Sequence, residues 1–245
     1  ARPTQIEDHL NRHAGIAANA RALTLITVAE AKRFARLLRA RTETLKEVVT
    51  PEELMNRGGA FTPPPVKAGD TAFLQYTSGS TGNPKGVILT HANLLANIRA
   101  MGQTLEVGAE DVFVSWLPLY HDMGLIGAWF GTLYYAVPLV IMSPLMFLAR
   151  PQRWLKAIHR HRGTLSAAPN FAYEMCLKKI DDGDIRGLDL GCWRCALNGA
   201  EAINPDTLRR FQERFRPYGF RAGAMKPVYG LAECSVGLAF PPMAR

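Results

Sequence analysis

A run of hydroxyl residues, glycines and one lysine separates two apolar segments between Thr77 and Gly86. Hydroxyl groups and exposed N–H groups can donate hydrogen bonds to an anion, and the lysine adds a positive charge. The run lacks the Walker pattern, in which the second glycine is followed directly by Lys-Ser or Lys-Thr. Because a solvated Gly/Ser linker rarely lies between two strand-like segments, the composition predicts a phosphate-binding loop that closes on Lys85 and Gly86. The candidate ligands are Thr77, Ser78, Gly79, Ser80, Thr81, Gly82 and Lys85.

Polar side chains also follow three apolar segments farther along the chain. His121 and Asp122 form the first group, residues 198–201 the second, and residues 229–233 the third. In open α/β sheets, ligand groups usually lie beyond the carboxyl ends of the strands, so these groups are candidate site residues. The alternatives are a purely structural His-Asp pair and a solvated carboxylate at Glu233.

The elements that must position these groups alternate between strands and helices along the chain. Alternation of this kind predicts α/β architecture, with mostly parallel sheets flanked by helices. The expected strands are residues 23–28, 45–49, 70–76, 87–89, 112–116, 137–142, 164–168, 193–197 and 225–228. The expected helices are residues 6–18, 29–41, 51–54, 91–105, 125–135, 152–162, 169–180 and 205–215.

Helix caps and a proline-rich connector divide the chain. Thr50 and Asn204 each precede a proline, which favours the first helical position, so both are expected N-caps. Residues 58–69 contain three consecutive prolines and predict a connector. We therefore expect a partial N-terminal α/β segment over residues 1–57 and a core over residues 70–245.

The composition is that of a soluble globular protein with a substantial core. The 245 residues are 48% hydrophobic and 20% charged, and the net charge of +8 suits an anionic ligand. The basic residues are scattered without aromatic neighbours, so a nucleic-acid partner is not expected. Residues 123–149 carry no charge over 27 residues, which exceeds the roughly 20 that a membrane span needs. Pro138 and Pro144 interrupt this segment, so a buried helix followed by a strand is expected instead.

The cysteines raise the question of a metal or redox site. Cys192 and Cys195 have the spacing of half a zinc site, but no second pair occurs, and His159 and His161 lack ligand spacing. Buried or half-buried thiols in a reduced, cytoplasmic protein are the expected alternative.

Four stretches resemble motifs of the adenylate-forming superfamily, which includes acyl-CoA synthetases, fatty acyl-AMP ligases and peptide-synthetase adenylation domains. They are the phosphate loop at residues 77–86, Trp116-Leu-Pro-Leu-Tyr-His-Asp-Met-Gly at 116–124, Asn-Gly-Ala-Glu at 198–201, and Tyr-Gly-Leu-Ala-Glu at 229–233. The resemblance covers about residues 70–240, and more loosely residues 6–54. It implies the large N-terminal domain of an enzyme with the acetyl-CoA synthetase-like fold.

The resemblance also implies roles for individual residues. The phosphate loop would hold the phosphates of ATP, and His121 would lie beside the substrate carboxylate. Tyr229 would stack on adenine, and Glu233 would bind Mg²⁺. The residues that the resemblance places around the nucleotide, beyond the phosphate loop, are Asn198, Gly199, Ala200, Glu201, Tyr229, Gly230 and Glu233.

Ala232 replaces the threonine that many members carry before the last glutamate, and this form most resembles fatty acyl-AMP ligases. The implied reaction converts a fatty acid and ATP to acyl-AMP and pyrophosphate, for transfer to the thiol of a carrier protein. Transfer to CoA, an amino-acid substrate and a non-catalytic binding module remain alternatives. Hydrophobic residues that could line an acyl tunnel, or simply form core, are Met142, Leu145, Met146 and Phe147.

The stretch after Glu233 is short, and the family's downstream aspartate and C-terminal domain with its catalytic lysine are not in the sequence. We therefore expect a chain that is an excerpt of a longer enzyme, with little or no adenylation activity alone.

Overall fold

The chain forms two units, Ala1–His91 and Ala92–Arg245. A computed structural model describes residues 3–77 and 84–243. The expected connector at residues 58–69 lies inside the first unit and has no helix or strand. The division of the chain into a segment over residues 1–57 and a core over residues 70–245 stays a prediction.

In the first unit, short helices pack around a parallel pair of strands. Leu10, Leu38 and Leu45 form its buried apolar cluster. Strand β1 pairs in parallel with β2, and β3 pairs with β4 in an antiparallel hairpin. The elements are α1 Pro3–Asn19, β1 Thr24–Ile26, α2 Lys32–Arg41, β2 Glu47–Val49, α3 Pro51–Met55, β3 Thr71–Thr77 and β4 Lys85–Thr90.

The start of α3 confirms the cap expected at Thr50. The Glu53 N–H donates to the Thr50 hydroxyl at 3.3 Å, and the Thr50 N–H donates to the Glu53 carboxylate at 2.9 Å. This reciprocal pair satisfies two N–H groups that a helix start otherwise leaves without partners, and Pro51 needs none.

The hairpin extends farther than the sequence indicated. Lys85 and Gly86 were expected to close the loop, but they lie in β4, opposite Thr77 and Tyr76 of β3. The Tyr76 ring lies against Gly86, where a Cβ would come within 2.9 Å of it. Pairing therefore begins two residues before the apolar run at Val87.

In the second unit, five strands of the described chain form a parallel sheet in the order β6-β5-β7-β8-β9. Helices connect the strands, as parallel pairing requires. The elements are α4 His91–Thr104, β5 Phe113–Ser115, a π-helix Met123–Phe130, α5 Gly131–Tyr135, β6 Leu139–Ile141, α6 Pro144–Ala149, α7 Gln152–His161, β7 Leu165–Ala168, α8 Asn170–Lys179, β8 Cys195–Asn198, α9 Pro205–Phe215 and β9 Met225–Pro227.

Aromatic side chains fill the space between this sheet and its helices. Trp154 and Tyr173 are fully buried, and the Trp154 Nε1–H donates to the Ser166 hydroxyl at 2.9 Å. Phe147 stacks on Trp116 with ring centroids 4.0 Å apart and is also fully buried. Phe147 is therefore a core residue.

The uncharged segment 123–149 contains the helix and the strand expected from its sequence. The π-helix and α5 run continuously, β6 follows, and α6 is a short helix that the sequence did not predict. Leu145 and Met146 lie on the exposed side of α6, at 75% and 44% exposure. Among the residues described, no helix is long and apolar enough to cross a membrane.

A partly buried ion pair joins elements at the amino-terminal edge of the sheet. Arg194 donates to both carboxylate oxygens of Asp111, at 2.8 and 2.6 Å, and to the carbonyl of Leu105 at 2.9 Å. Burial alone would raise the pKa of Asp111, but hydrogen bonds from Arg194, Thr164 and Gly108 outweigh it and leave the pKa lowered. This network ties the end of α4 to the strand β8.

Candidate functional site

Three of the predicted site segments follow strands of the parallel sheet directly. The turn containing His121 follows β5, the loop at residues 198–201 begins at the end of β8, and Tyr229 follows β9. Because the strands are parallel, their carboxyl ends lie along one edge of the sheet. The chain order reverses between β5 and β7, and ligands in open α/β sheets bind outside the carboxyl ends at such a reversal.

The turn after β5 is closed by backbone hydrogen bonds. The His121 N–H donates to the Pro118 carbonyl at 3.2 Å, and the Gly124 N–H donates to the His121 carbonyl at 3.0 Å. A Cβ at Gly124 would lie 2.3 Å from the Pro118 oxygen, so only glycine fits there. The tight turn leaves the His121 side chain half exposed at the edge of the sheet.

His121 and Asp122 form the pair that the sequence suggested. The His121 Nδ1 lies 2.8 Å from the Asp122 Oδ1, and the Met123 N–H donates to the same oxygen at 2.6 Å. The Met123 N–H also lies 3.3 Å from the His121 Nδ1, but its bond to Asp122 is the shorter one. We therefore assign the Nδ1 hydrogen to the bond with the carboxylate. The Nε2 atom then stays available to a ligand.

The two side chains shift each other's pKa. The hydrogen bond to Asp122 raises the pKa of His121 and outweighs the opposing effect of burial. Burial alone would raise the pKa of Asp122, but the bonds from His121 and from the Met123 N–H leave it lowered. The pair thus favours a protonated imidazole beside a carboxylate.

The loop after β8 lies against the residue that precedes Tyr229. The Val228 N–H donates to the Asn198 carbonyl at 2.7 Å, and the Gly199 N–H donates to the Ala168 carbonyl at 3.3 Å. A Cβ at Gly199 would lie 2.9 Å from the Val228 Cγ2. This close approach explains the glycine and brings two of the predicted nucleotide-binding segments side by side.

Side chains of this loop hold it to the start of α8. The Asn198 amide donates to the Asn170 Oδ1 at 3.2 Å, and the Asn204 N–H donates to the same oxygen at 3.2 Å. The Phe171 N–H donates to a carboxylate oxygen of Glu201 at 2.5 Å. Glu201 therefore caps a helix through its side chain, and a role beside adenine is left to its main chain. Asn170, which no motif of the sequence indicated, is the shared acceptor of this network.

Ala200 and Asn198 show two further features of the same loop. Ala200 has a φ of 69°, in the left-handed region that non-glycine residues rarely adopt. The Asn198 Oδ1 is buried without a hydrogen-bond partner among the described residues. Strained backbone and unpaired buried polar atoms are both typical of ligand-binding loops.

Tyr229 begins a loop that folds back so that Ala239 pairs with Tyr229 in an antiparallel bridge. Its N–H donates to the Ala239 carbonyl at 3.0 Å, and the Ala239 N–H donates back at 2.9 Å. The Tyr229 side chain is 62% exposed, so its ring face is open to a planar ligand. A Cβ at Gly230 would lie 1.6 Å from the Val236 oxygen, so glycine is required there.

Glu233 lies in a short 3₁₀ helix, Ala232–Cys234, within that turn. Its side chain is exposed and, within residues 3–77 and 84–243, forms no ion pair. An unpaired carboxylate fits Mg²⁺, which binds proteins through one or two carboxylates and completes its shell with water and phosphate oxygens.

The predicted phosphate ligands belong to the first unit. Thr77 and Lys85 are the last paired residues of β3 and β4, at the end of the hairpin that residues 78–84 connect, and the Lys85 side chain is exposed. Ser78, Gly79, Ser80, Thr81 and Gly82 lie outside the described residues.

The four cysteines carry free thiols and lie within residues 84–243. Cys176 and Cys195 are buried, and burial raises the pKa of Cys195 to about 11. In the described part of the chain, no group of three metal-ligating side chains occurs.

Comparison with known proteins identifies the class to which this site belongs. The AMP-binding enzyme family matches residues 4–245. A medium-chain fatty acid–acyl-carrier-protein ligase of Teredinibacter turnerae is 45% identical over 177 residues, which are 72% of this chain and 28% of that protein. A probable long-chain fatty acid–AMP ligase of Mycobacterium tuberculosis is 43% identical over 175 residues, or 69% of this chain and 30% of that protein.

A solved structure agrees with these relatives. A fatty acyl-adenylate ligase of Legionella pneumophila, in complex with acyl adenylate and pyrophosphate, superposes with a TM-score of 0.86 at 36% identity. The match covers 95% of this chain and 41% of that protein. The chain belongs to the AMP-binding enzyme family and has the fold of the N-terminal domain of adenylate-forming enzymes, as its motifs predicted. It spans 28–30% of the length of the two curated relatives.

Proposed function

We propose that the protein activates the carboxylate of a fatty acid with ATP, forming acyl-AMP and releasing pyrophosphate. One observation carries the proposal: His121, the loop at residues 198–201 and the Tyr229 turn follow strands of one parallel sheet at its carboxyl edge. The fatty acid ligases among its relatives support the choice of substrate.

Tyr229 and the loop after β8 would form the adenine subsite. The exposed Tyr229 ring can stack on a purine, which contributes roughly 1 kcal/mol beyond burial. Gly199 and Ala200 would flank the base with their main chain, since Gly199 leaves no side chain between the loop and Val228. The unpaired Asn198 Oδ1 supplies a buried acceptor close by.

At the reacting groups, separate roles are assigned to His121 and to the phosphate loop. A carboxylate oxygen attacks the α-phosphorus, a P–O bond to the β-phosphate breaks, and pyrophosphate leaves with the electron pair. The raised pKa of His121 favours an imidazolium, which offers Nε2–H to the substrate carboxylate or to the phosphate. Lys85, with Thr77 and residues 78–82, would hold the outgoing phosphates. Phosphoryl transfer needs mainly such positioning and charge neutralisation.

Glu233 is the residue that we propose for Mg²⁺. Its carboxylate is exposed and unpaired within the described chain, as a ligand must be before the metal binds. The ion would neutralise the phosphate oxygens, while Glu233 fixes its position relative to the Tyr229 turn.

The acyl group would then pass to the thiol of an acyl carrier protein or of a carrier domain in a polyketide or peptide synthase. The carrier-protein ligase among the relatives supports this acceptor over CoA. We also propose a cytoplasmic location, supported by four free thiols.

The test of this proposal is ATP–pyrophosphate exchange by the full-length protein with fatty acids of graded length. We expect exchange that depends on both Mg²⁺ and the fatty acid, and kcat/KM for ATP reduced about fivefold or more in Tyr229→Ala, as the loss of about 1 kcal/mol or more predicts. Exchange driven by amino acids, or none with any carboxylate, would refute the proposed substrate class. Exchange at the full-length rate by residues 1–245 would refute the further expectation that this part is inactive alone.

A further inference from the structure

Asn97 of α4 binds the main chain of Gly237 with both ends of its amide. The Asn97 Nδ2 donates to the Gly237 carbonyl at 2.7 Å, and the Gly237 N–H donates to the Asn97 Oδ1 at 3.0 Å. The Asn97 amide thus makes the same pair of hydrogen bonds to Gly237 that a peptide group of a neighbouring strand would make. Both bonds are partly buried, which strengthens them relative to exposed ones.

The segment that Asn97 binds is strained. Ser235 has a φ of 59° and Val236 a φ of 105°, although β-branched residues strongly disfavour positive φ. Strain of this kind persists only where surrounding contacts determine the backbone, and it is concentrated at functional sites. The two Asn97 bonds fall on the next residue along the chain, where they oppose relaxation of the turn.

The same turn carries Tyr229 and Glu233. Tyr229 pairs with Ala239 by two hydrogen bonds, and Ala239 lies two residues after Gly237. Glu233 lies four residues before Gly237, in the 3₁₀ helix of the turn. Asn97 therefore holds the second half of the loop, at Gly237, while the exposed Tyr229 ring lies at the start of the first half.

Packing on the same helix face supports this anchor. A Cβ at Gly237 would lie 2.7 Å from the Sδ of Met101, one helical turn after Asn97, and 2.8 Å from the Phe240 ring. The missing side chain at Gly237 thus lets the Met101 and Phe240 side chains pack directly on the loop, close to Asn97.

We propose that Asn97 is a positioning residue for nucleotide binding, which it serves by holding Tyr229 and Glu233 in place. The inference rests on the proposed function, because it assigns the purpose of the loop from the adenine and Mg²⁺ roles given above. Asn97 touches no substrate in this role.

The test compares Asn97→Ala with Gln103→Ala in the full-length protein. Gln103 is an exposed amide on the same helix and makes no side-chain hydrogen bond within the described residues. In Asn97→Ala we expect the KM for ATP to rise about tenfold and the KM for the fatty acid to change less than twofold. Hydrogen exchange of the peptide covering residues 229–240 should become faster. Gln103→Ala should match the wild type in all three measurements.

Equal changes in the KM values for ATP and for the fatty acid would refute a positioning role and leave only a structural one. An unchanged KM for ATP together with faster hydrogen exchange of residues 229–240 would do the same. If Asn97→Ala fails to fold, Asn97→Asp retains the acceptor for the Gly237 N–H and loses the donor. It should still raise the KM for ATP selectively, at least threefold, and an unchanged KM would refute the inference. If the wild type shows no ATP–pyrophosphate exchange, the proposed function is refuted instead. Faster hydrogen exchange in Asn97→Ala would even then show that Asn97 holds the loop.

Discussion

Replacing Gly199 by alanine tests whether the loop after β8 and the Tyr229 turn act together. The added Cβ would lie 2.9 Å from the Val228 Cγ2 and 3.0 Å from the Val228 carbonyl oxygen. The Cγ2 could move by rotation of a side chain, but the carbonyl belongs to the backbone. Val228 also donates its N–H to Asn198 at 2.7 Å, so it cannot retreat without weakening that bond.

The geometry sets the size of the expected effect. Adding one methyl group to such a tightly packed contact costs about 1–3 kcal/mol in the free energy of unfolding. A displacement of Val228 would also move the adjacent Tyr229 ring. If about 1.4 kcal/mol of this strain is transferred to nucleotide binding, kcat/KM for ATP falls about tenfold.

Urea denaturation and ATP–pyrophosphate exchange measure the two effects separately. The matched control is Gly223→Ala, because Gly223 lies in the same unit and a Cβ there would have no neighbour within 4 Å. We expect Gly223→Ala to retain the stability and the exchange rate of the wild type.

Two results would contradict this reasoning. If Gly199→Ala loses stability but keeps its KM for ATP, the loop is packed against Val228 without contributing to a nucleotide site. If Gly199→Ala and Gly223→Ala are indistinguishable from each other in both assays, Gly199 does not lie close to Val228 in the folded protein.

Three further predictions concern charged residues. Lys85→Ala should raise the KM for ATP about tenfold or more while leaving the urea midpoint unchanged, because the Lys85 side chain is exposed. Arg194→Ala should lower the free energy of unfolding by about 2–3 kcal/mol at pH 7, measured in urea, because it leaves Asp111 buried without its cation. Asp122→Asn should lower the pKa of His121, followed by NMR titration of the ring, because the hydrogen bond to the carboxylate raises it.

The pH dependence of stability follows from the directions of these shifts. Asp111 has a lowered pKa, so its contribution is present above the ordinary value of 3.8 and is lost as the pH falls through the folded-state pKa. His121 has a raised pKa, so its contribution is present below the ordinary value of 6.5 and is lost as the pH rises through the folded-state pKa. Asp122 also has a pKa lowered from the ordinary value of 3.8, so its contribution is likewise lost as the pH falls through the folded-state pKa. The His121–Asp122 pair should therefore stabilise the fold most between the ordinary values of 3.8 and 6.5.

Each charge prediction has a control and a contrary outcome. Lys67→Ala removes another exposed lysine of the first unit and should leave ATP use unchanged; an equal effect of both variants would show a general charge effect. Arg209→Ala breaks exposed ion pairs only and should not shift the urea midpoint, so equal loss in both arginine variants would contradict the buried network. An unchanged His121 titration in Asp122→Asn would show that the two side chains are uncoupled in solution.

The strands and caps could be predicted because their signals are local. The apolar runs before His121, Asn198 and Tyr229 predicted three strands of the parallel sheet. Thr50 could be predicted as a helix cap because its partner, Glu53, lies only three residues away. The carboxyl edge of the sheet then follows from parallel pairing, without knowledge of any side-chain contact.

Contacts between distant residues could not be read in the same way. Asn97 and Gly237 are separated by 140 positions, and Asn170 meets Asn198 only because α8 and β8 are neighbours in the fold. Phe147 could equally have lined a tunnel, since a hydrophobic residue has the same sequence pattern in either place. Glu201 was assigned to the nucleotide by its motif, while its carboxylate caps α8.

The most direct test of the proposed activity is a product analysis by mass spectrometry. The full-length protein is incubated with ATP, Mg²⁺, a fatty acid, CoA and a phosphopantetheinylated carrier protein together. We expect acyl-AMP as the first product and then an acylated carrier protein. Acyl-CoA as the only thioester would contradict the proposed acceptor, and the absence of acyl-AMP under every condition would contradict the proposed adenylation reaction.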